Sequence, residues 1–267
     1  MNRLMLAPTT LPAAPPIAFV EAAAAAGFDG IGLRLNASPG LPFHPVVGNA
    51  PLIREIKRRI ADLGQPVHDI LSFYLEPDTD VEQFAAALQL GAELGAKYAL
   101  VIGDDPDWGR MRDNFGLMCD ATAPLGISPS IEFVPRRRLA NLPQTLRLLG
   151  EAARPNVSLC IDPLHVTRSG ATADDLRKLD PRLVPYTQLC DGVLEPGEPD
   201  PEGLGRTAPE QRRMPGEGVL PLRAILAAVP AGIPISVEVP FDDRAGLTPV
   251  AWTKLVAEKT RRFLATS

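Results

Sequence analysis

Short apolar runs alternate with stretches of helical period along the chain, at a spacing of about 25 to 35 residues, the signature of repeated βα units feeding a parallel sheet. Eight runs are legible, over 4–7, 30–35, 67–72, 98–103, 128–134, 157–162, 184–190 and 233–239. Between them, the 51–63 stretch sets Ile53, Ile56, Ile60 and Leu63 on one face, with Pro51 opening the helix and Gly64 closing it. Thr79-Asp80-Val81-Glu82 reads as a capping box before a stripe of Val81, Phe84, Ala85, Leu88 and Ala92. Thr172 with Asp175, and Thr248 with Pro249, predict two further helix starts.

Eight strands with intervening helices fit either a doubly wound open sheet or a closed barrel. The open sheet usually has a Gly-rich phosphate turn after its first strand, and here that turn is Pro8-Thr9-Thr10-Leu11-Pro12. The pattern therefore predicts a single (β/α)8 TIM barrel, an α/β fold, filling 1–267 as one domain. Its chemistry is expected where the strands end. Two long connections rich in Pro and Gly, 35–50 and 194–215, follow the second and seventh strands, which puts them at that mouth, the second as a lid.

Composition narrows the partners. Hydrophobic residues make up 45% and charged residues 22%, the balance of a globular chain with a large core. The net charge of -5 and the lack of a recurring basic stripe argue against nucleic acid. The one basic cluster, Arg136-Arg137-Arg138, is expected to be solvated or to pack at a helix start. Cys119, Cys160 and Cys190 fit neither a disulfide framework nor a CxxC zinc site, so a reduced cytoplasmic setting is expected. The start of the chain does not read as a signal peptide, and the alanine run 22–26 is too short to span a bilayer, so no membrane partner is expected.

Carboxylates carry the candidate chemistry. In Ile131-Glu132-Phe133-Val134 the apolar neighbours point one way and Glu132 the other, toward the barrel axis. An unpaired buried carboxylate is unfavourable enough to demand a metal or a cationic partner. Glu238 in Ser236-Val237-Glu238-Val239 reads the same way, Asp162 ends the sixth run, and Gln188 lies in the seventh. Four oxygen-bearing side chains thus sit late in four consecutive strands, where a barrel converges them. His68, near the start of the third run, is expected to stabilise the barrel floor. His44, in the loop after the second, could reach substrate from above. Phe73-Tyr74-Leu75-Glu76 and Asp104-Asp105-Pro106-Asp107-Trp108 could wall a pocket, with Trp108 as a substrate platform or a packed helix-start residue.

Four stretches, Ile131-Glu132-Phe133, Ile161-Asp162-Pro163-Leu164-His165, Arg212-Arg213-Met214-Pro215-Gly216-Glu217-Gly218 and Val237-Glu238-Val239, resemble the xylose isomerase-like barrel superfamily, and within it the sugar phosphate isomerase/epimerase group. The resemblance is close in the C-terminal half; in the N-terminal half it is one of strand and helix rhythm. It implies that Glu132, Asp162 and Glu238 bind a divalent metal, that His165 contacts substrate or orders the site, that Arg212 meets a substrate oxygen, and that Glu132 and Glu238 form an acid/base pair. One departure stands out: Gln188 occupies the position where the group carries a metal-binding His. A ligand set of Glu132, Asp162, Gln188 and Glu238 would be all oxygen and would favour Mn²⁺ or Mg²⁺, or even Ca²⁺. Asp191 could contribute instead, or the metal could be lost and Gln188 could bind substrate.

The expected activity is isomerisation or epimerisation of a sugar, keto-sugar or polyol through an enediolate, in a chain that could self-associate. The alternatives are a dehydratase or lyase working from the same site, and a non-catalytic sugar-binding barrel, which the presence of both glutamates disfavours. An endonuclease acting on abasic DNA on the same barrel would need more metal ligands and a basic groove, against three histidines and an acidic chain. Gly216-Glu217-Gly218 is a weak candidate for a phosphate turn, since its central glutamate would repel an anion.

Overall fold

The computed structural model describes residues 2–193, 212–241 and 246–266. Its strands are β1 (Leu4–Leu6), β2 (Gly30–Arg34), β3 (Val67–Leu75), β4 (Tyr98–Gly103), β5 (Ser128–Glu132), β6 (Ser158–Leu159), β7 (Thr187–Leu189), β8 (Asp191–Gly192), β9 (Arg212–Arg213) and β10 (Ile235–Val237). Eight of them form one sheet in the order β6-β5-β4-β3-β2-β1-β10-β7, every pair parallel. The ends of that sheet meet at Ile161, which bridges Thr187 in parallel and whose carbonyl accepts from Thr187 Oγ1 at 2.7 Å and from the Gln188 amide at 2.8 Å. The sheet thereby curls into the TIM barrel that the run spacing predicts.

Six strands are shorter than their apolar runs, and for β6, β7 and β10 proline and capping explain why. Pro185 and Pro234 cannot donate to a ladder, so β7 and β10 begin after them. Asp162 ends the sixth run by capping the next helix, accepting from Leu164 N at 2.7 Å. By contrast β3 runs past its predicted end to Leu75.

The helices are α1 (Pro16–Ala25), α2 (Ala50–Leu63), α3 (Ala85–Glu93), α4 (Trp108–Thr122), α5 (Leu142–Ala152), α6 (Pro163–Arg168), α7 (Ala173–Leu176), α8 (Leu222–Leu226) and α9 (Pro249–Ala265). α2 has Asn49 as its cap, with Gly64 left-handed at φ 61° after its end. Thr248 caps α9 as expected. Thr172 and Asp175 form a full capping box, but α7 lasts only four residues. The box expected at Thr79 is displaced: Asp80 is the cap, and the first turn, Val81–Phe84, is a 3-10 turn ahead of α3. Thr79 instead links the loop to β3, accepting from Glu76 N at 2.7 Å and donating to Tyr74 O at 3.0 Å. Among the described residues no helix is long and apolar enough to cross a membrane.

Alternation along the strands builds two layers. Val101, Ile131, Leu159, Leu189 and Val237 face the helices and belong to the main core. Leu71, Leu100, Cys160 and Tyr186, with Tyr98 against them, form a separate plug inside the barrel. His68 packs against Tyr98 (tilted) and Tyr186 (edge-on) at ring distances of 5.1 and 4.9 Å, in the floor position its place in the strand predicts. Burial pushes its imidazole down to about 4, with Arg3 adding to the effect, so the ring is neutral there.

Candidate active site

Glu132 is the last residue of β5, Asp162 caps α6, Gln188 lies in β7 and Glu238 follows β10. All four side chains are buried. A cleft of about 350 Å³ opens over them at the C-terminal end of the strands. Glu132, His165, Arg212 and Glu238 line it together with Tyr74, Arg137 and the 38–41 stretch of the loop after β2. The segment 194–211 of the expected lid lies outside the described residues.

Arg212 arrives from a two-stranded antiparallel ladder, β8 on β9, in which Gly192 faces Arg212. Its guanidinium donates to Asp162 Oδ2 at 2.7 Å and to Cys190 Sγ at 2.9 Å, and stands 3.3 Å from Glu238 Oε1. Burial alone would raise the Asp162 carboxyl, but Arg212, His165 and the Leu164 amide together hold it below the usual carboxylate range. Glu132 and Glu238 go the other way: burial lifts both, Asp162 adds to it, and Arg212 opposes the rise. One carboxyl is therefore held below the ordinary carboxylate range while two are raised above it, the separation that acid/base chemistry requires.

Buried atoms without a hydrogen-bond partner in this region include Glu132 Oε1, His165 Nδ1 and Gln188 Oε1, together with Arg212 Nε. A donor atom from each of Glu132, Asp162 and His165 lies within 4.8 Å of the others, so this buried group could bind a metal ion. The charge count agrees with a divalent cation. Against three carboxyl groups the guanidinium of Arg212 supplies one positive charge, leaving two negative charges when all are ionised. The donor chemistry therefore fits a divalent metal.

The other candidates lie elsewhere. His44 sits in a separate small depression beside Arg34 and Phe43, with Nε2 3.1 Å from the Ala13 carbonyl. Trp108 does not line the cleft: its indole donates to Glu151 at 2.7 Å and lies under the Arg147 guanidinium at 4.3 Å, joining α4 to α5 on the outside of the barrel. Asp191, the substitute metal ligand, is corrected by its bonds. Its carboxylate accepts from the amides of Gly192, Gly216 and Leu220 at 2.8, 3.0 and 3.0 Å, which leaves it holding the turn that follows β9. The Gly216-Glu217-Gly218 turn is thereby also spent, since Gly216 N donates to Asp191 and a Cβ on Gly218 would lie 2.3 Å from Asp191 Oδ1.

The acidic trio resolves into caps and pairs: Asp104 with Arg137 at 2.6 Å, Asp105 with Arg110 at 2.6 Å, and Asp107 as the cap of α4. Arg137 stacks over the Tyr74 ring at 5.4 Å and lines the cleft, so the basic cluster contributes one residue to the mouth. Asp69 was not anticipated. It is fully buried in β3, with Oδ1 unpartnered, and burial followed by the nearby Glu238 pushes it up to about 7. A lone acid inside the apolar run Val67-His68-Asp69-Ile70-Leu71 is the same signal that marks Glu132.

A closed parallel barrel with buried carboxylates gathered at its C-terminal mouth defines the class of α/β barrels whose strand ends hold the chemistry. The chain belongs to the xylose isomerase-like TIM barrel family, whose pattern matches residues 20–265. No curated protein matches it in sequence. Among solved structures it is similar to a xylose isomerase domain protein from Alicyclobacillus acidocaldarius (19% identity, 99% of each chain, TM-score 0.78). It is also similar to the IOLI protein with a bound zinc atom (17% identity, 99% of this chain and 97% of that one, TM-score 0.75). A third similar structure is D-allulose 3-epimerase from Methylomonas sp. in complex with D-allulose (17% identity, 99% and 96%, TM-score 0.70).

Proposed function

We propose that this chain is a divalent-metal-dependent isomerase or epimerase acting on a keto-sugar or related polyol. One observation carries the reading: Glu132 and Glu238, from strands on different sides of the barrel, line the same cleft, and burial raises both carboxyl groups. Such a pair can take a proton from a carbon next to a carbonyl and return one from another direction. Glu132, Asp162, Gln188 and Glu238 are the residues that would hold the cation, with His165 beside them. When bound, a divalent cation supplies a Lewis acid for the substrate oxygens on adjacent carbons.

The remaining work falls to the chain. Arg212 keeps Asp162 ionised and presents a guanidinium to the cleft. Tyr74 and Arg137 wall the opening, and the 38–41 loop narrows it from above. If Glu238 delivers its own proton from the opposite face to the carbon that Glu132 has deprotonated, the outcome is epimerisation; delivery to the former carbonyl carbon, with the hydroxyl proton passing from one substrate oxygen to the other, gives isomerisation.

The test is carbon-bound proton exchange. The chain is loaded with Mn²⁺ and incubated in D₂O with a panel of ketoses and keto-polyols, and deuterium at the carbon next to the carbonyl is read by NMR. Glu132→Gln and Glu238→Gln are each expected to lower exchange by roughly 10²-fold or more. No exchange in any member of the panel would sink the proposal. A product lighter by one water would show that the same abstraction leads to elimination.

A further inference from the structure

The strand period of two places a second layer of side chains beneath the cleft. Ser130, Cys160, Tyr186 and Ser236 stand two residues before Glu132, Asp162, Gln188 and Glu238, and all are buried. Asp69 enters the same interior from β3, where its charge acts on Cys160 and Tyr186. A parallel barrel usually fills such a layer with bulky branched residues. Here two of the positions are serines, and Gly32, paired in register with Asp69, has no side chain to offer. Asp69 Oδ1 takes that space, 2.6 Å from where a Cβ on Gly32 would stand.

The layer does not satisfy itself. Asp69 Oδ1, Ser130 Oγ, Tyr186 OH and Ser236 Oγ are buried without a hydrogen-bond partner, although the Tyr186 hydroxyl lies beside Ser130 and Cys160. His68, edge-on to Tyr186 at the floor, has Nε2 in the same condition. Leaving such groups dry is unfavourable. Hydroxyls both donate and accept, whereas a carboxylate only accepts. A cation would serve the acceptors alone, and an anion would face Asp69. Water donates and accepts, which matches the mixed set.

Asp69 is within electrostatic reach of both glutamates: its charge acts on Glu132, and that of Glu238 acts on it. The other titratable groups around it are Cys160, Tyr186, its register partner Tyr98, and His68 on its own strand. Two-base chemistry gives such an acid something to do. When Glu132 removes one proton and Glu238 delivers its own, each turnover ends with Glu132 protonated and Glu238 ionised. The next turnover in the same direction needs the reverse. A protonated Asp69 can pass its proton through water to Glu238 while it takes up the one on Glu132. One proton moves, no bond to carbon changes, and Asp69 ends as it began.

We infer that the layer beneath the cleft is a hydration site, and that Asp69, through the water it anchors, returns the proton from Glu132 to Glu238 between turnovers. Asp69 acts through the pair and not on substrate, as a positioning residue. The inference rests on the acid/base reading above.

Two experiments on the full Mn²⁺-loaded chain test it. A high-resolution crystal structure is expected to show ordered water within hydrogen-bond distance of Asp69 Oδ1 and Ser236 Oγ; a dry layer overturns the inference and leaves the acid/base reading standing. Kinetics are then followed with the ketose of the panel that the wild type turns over fastest. Restoring the pair follows product release, so impeding it limits kcat and leaves kcat/KM alone. Asp69→Asn keeps the shape of the side chain without its acid, and is expected to lower kcat and KM together, each roughly ten-fold, with kcat/KM unchanged. An unchanged kcat, or a fall in kcat/KM as large as that in kcat, overturns the role of Asp69. Should Asp69→Asn not fold, Ser236→Ala, which removes one anchor of the water and no charge, is expected to show the same split. A wild type that turns over no member of the panel overturns the proton return together with the acid/base reading.

Discussion

The Arg212 guanidinium donates to Asp162 at 2.7 Å, and neither side chain has appreciable contact with solvent, at 4% and 0% exposed. The same guanidinium reaches Glu238 and Cys190, so one cation compensates two carboxyl groups on the strand ends that flank β7. Burial would lower its proton affinity, but Asp162, Cys190 and Glu238 raise it well above the ordinary arginine range. Arg212 is thus the fixed counter-charge of the site.

Removing one partner of a buried ion pair leaves the other uncompensated, which costs about 3–5 kcal/mol. Arg212→Gln is therefore expected to be markedly less stable than the wild type in chemical denaturation of the metal-free chain. Mn²⁺ should stabilise the variant more than it stabilises the wild type, because the cation becomes the remaining compensation and no longer meets a neighbouring positive charge. Equal stability of the two metal-free proteins would remove Arg212 from this role.

Asp69 has its carboxyl pushed up to about 7, from 3.8. A carboxyl raised on folding contributes stability below its unfolded pKa, and that stability is lost as pH rises through the folded value. Asp69→Asn should therefore match the wild type near pH 4 and become relatively more stable as pH climbs to 7 and beyond, by up to a few kcal/mol. Melting of the metal-free proteins across pH 4 to 8 checks this; a stability difference that does not change with pH would refute it.

Gly32 is the glycine that makes room for Asp69. A Cβ there would lie 2.6 Å from Asp69 Oδ1 and 3.0 Å from Pro8. Gly32→Ala is expected to cost about 1–3 kcal/mol by overpacking. If the contact with Asp69 is the cause, the cost should shrink in a chain that also carries Asp69→Ala, and a purely additive double variant would show that it is not.

Trp108 serves α4 and α5 and not the cleft, through its bond to Glu151 and the Arg147 guanidinium. Trp108→Ala should lower stability by about 1–2 kcal/mol while leaving Mn²⁺ affinity unchanged. A weakened metal site in that variant would place the indole nearer the chemistry than its contacts do.

Much of the architecture was legible because period and punctuation are local properties. The eight apolar runs, the 51–63 stretch of α2 with Gly64 closing it and the Thr248 cap follow from spacing and cap chemistry alone. Glu132, Asp162 and Glu238 were legible for a related reason: an acid inside or at the end of an apolar run has to face inward and find a partner. Asp69 carries the same mark but lies mid-strand, away from the strand ends where a barrel gathers its chemistry. Asp80 displaced Thr79 as a cap because Thr79 was drawn into the β3 loop, a competition that sequence spacing does not register.

By itself, then, the chain determined a parallel barrel and the residues whose charge must be compensated at its mouth. Only the tertiary structure decided how they are compensated. It gave Asp162 and Glu238 to Arg212, spent Asp191 on three backbone amides, moved Trp108 to the outer surface, and left the His165 nitrogen beside Glu132 with no partner. The physical reason is range. Helical and strand periods act between residues a few positions apart, whereas the pairing of a buried charge depends on which distant segment arrives next to it, here Asp162 and Arg212 across 50 positions.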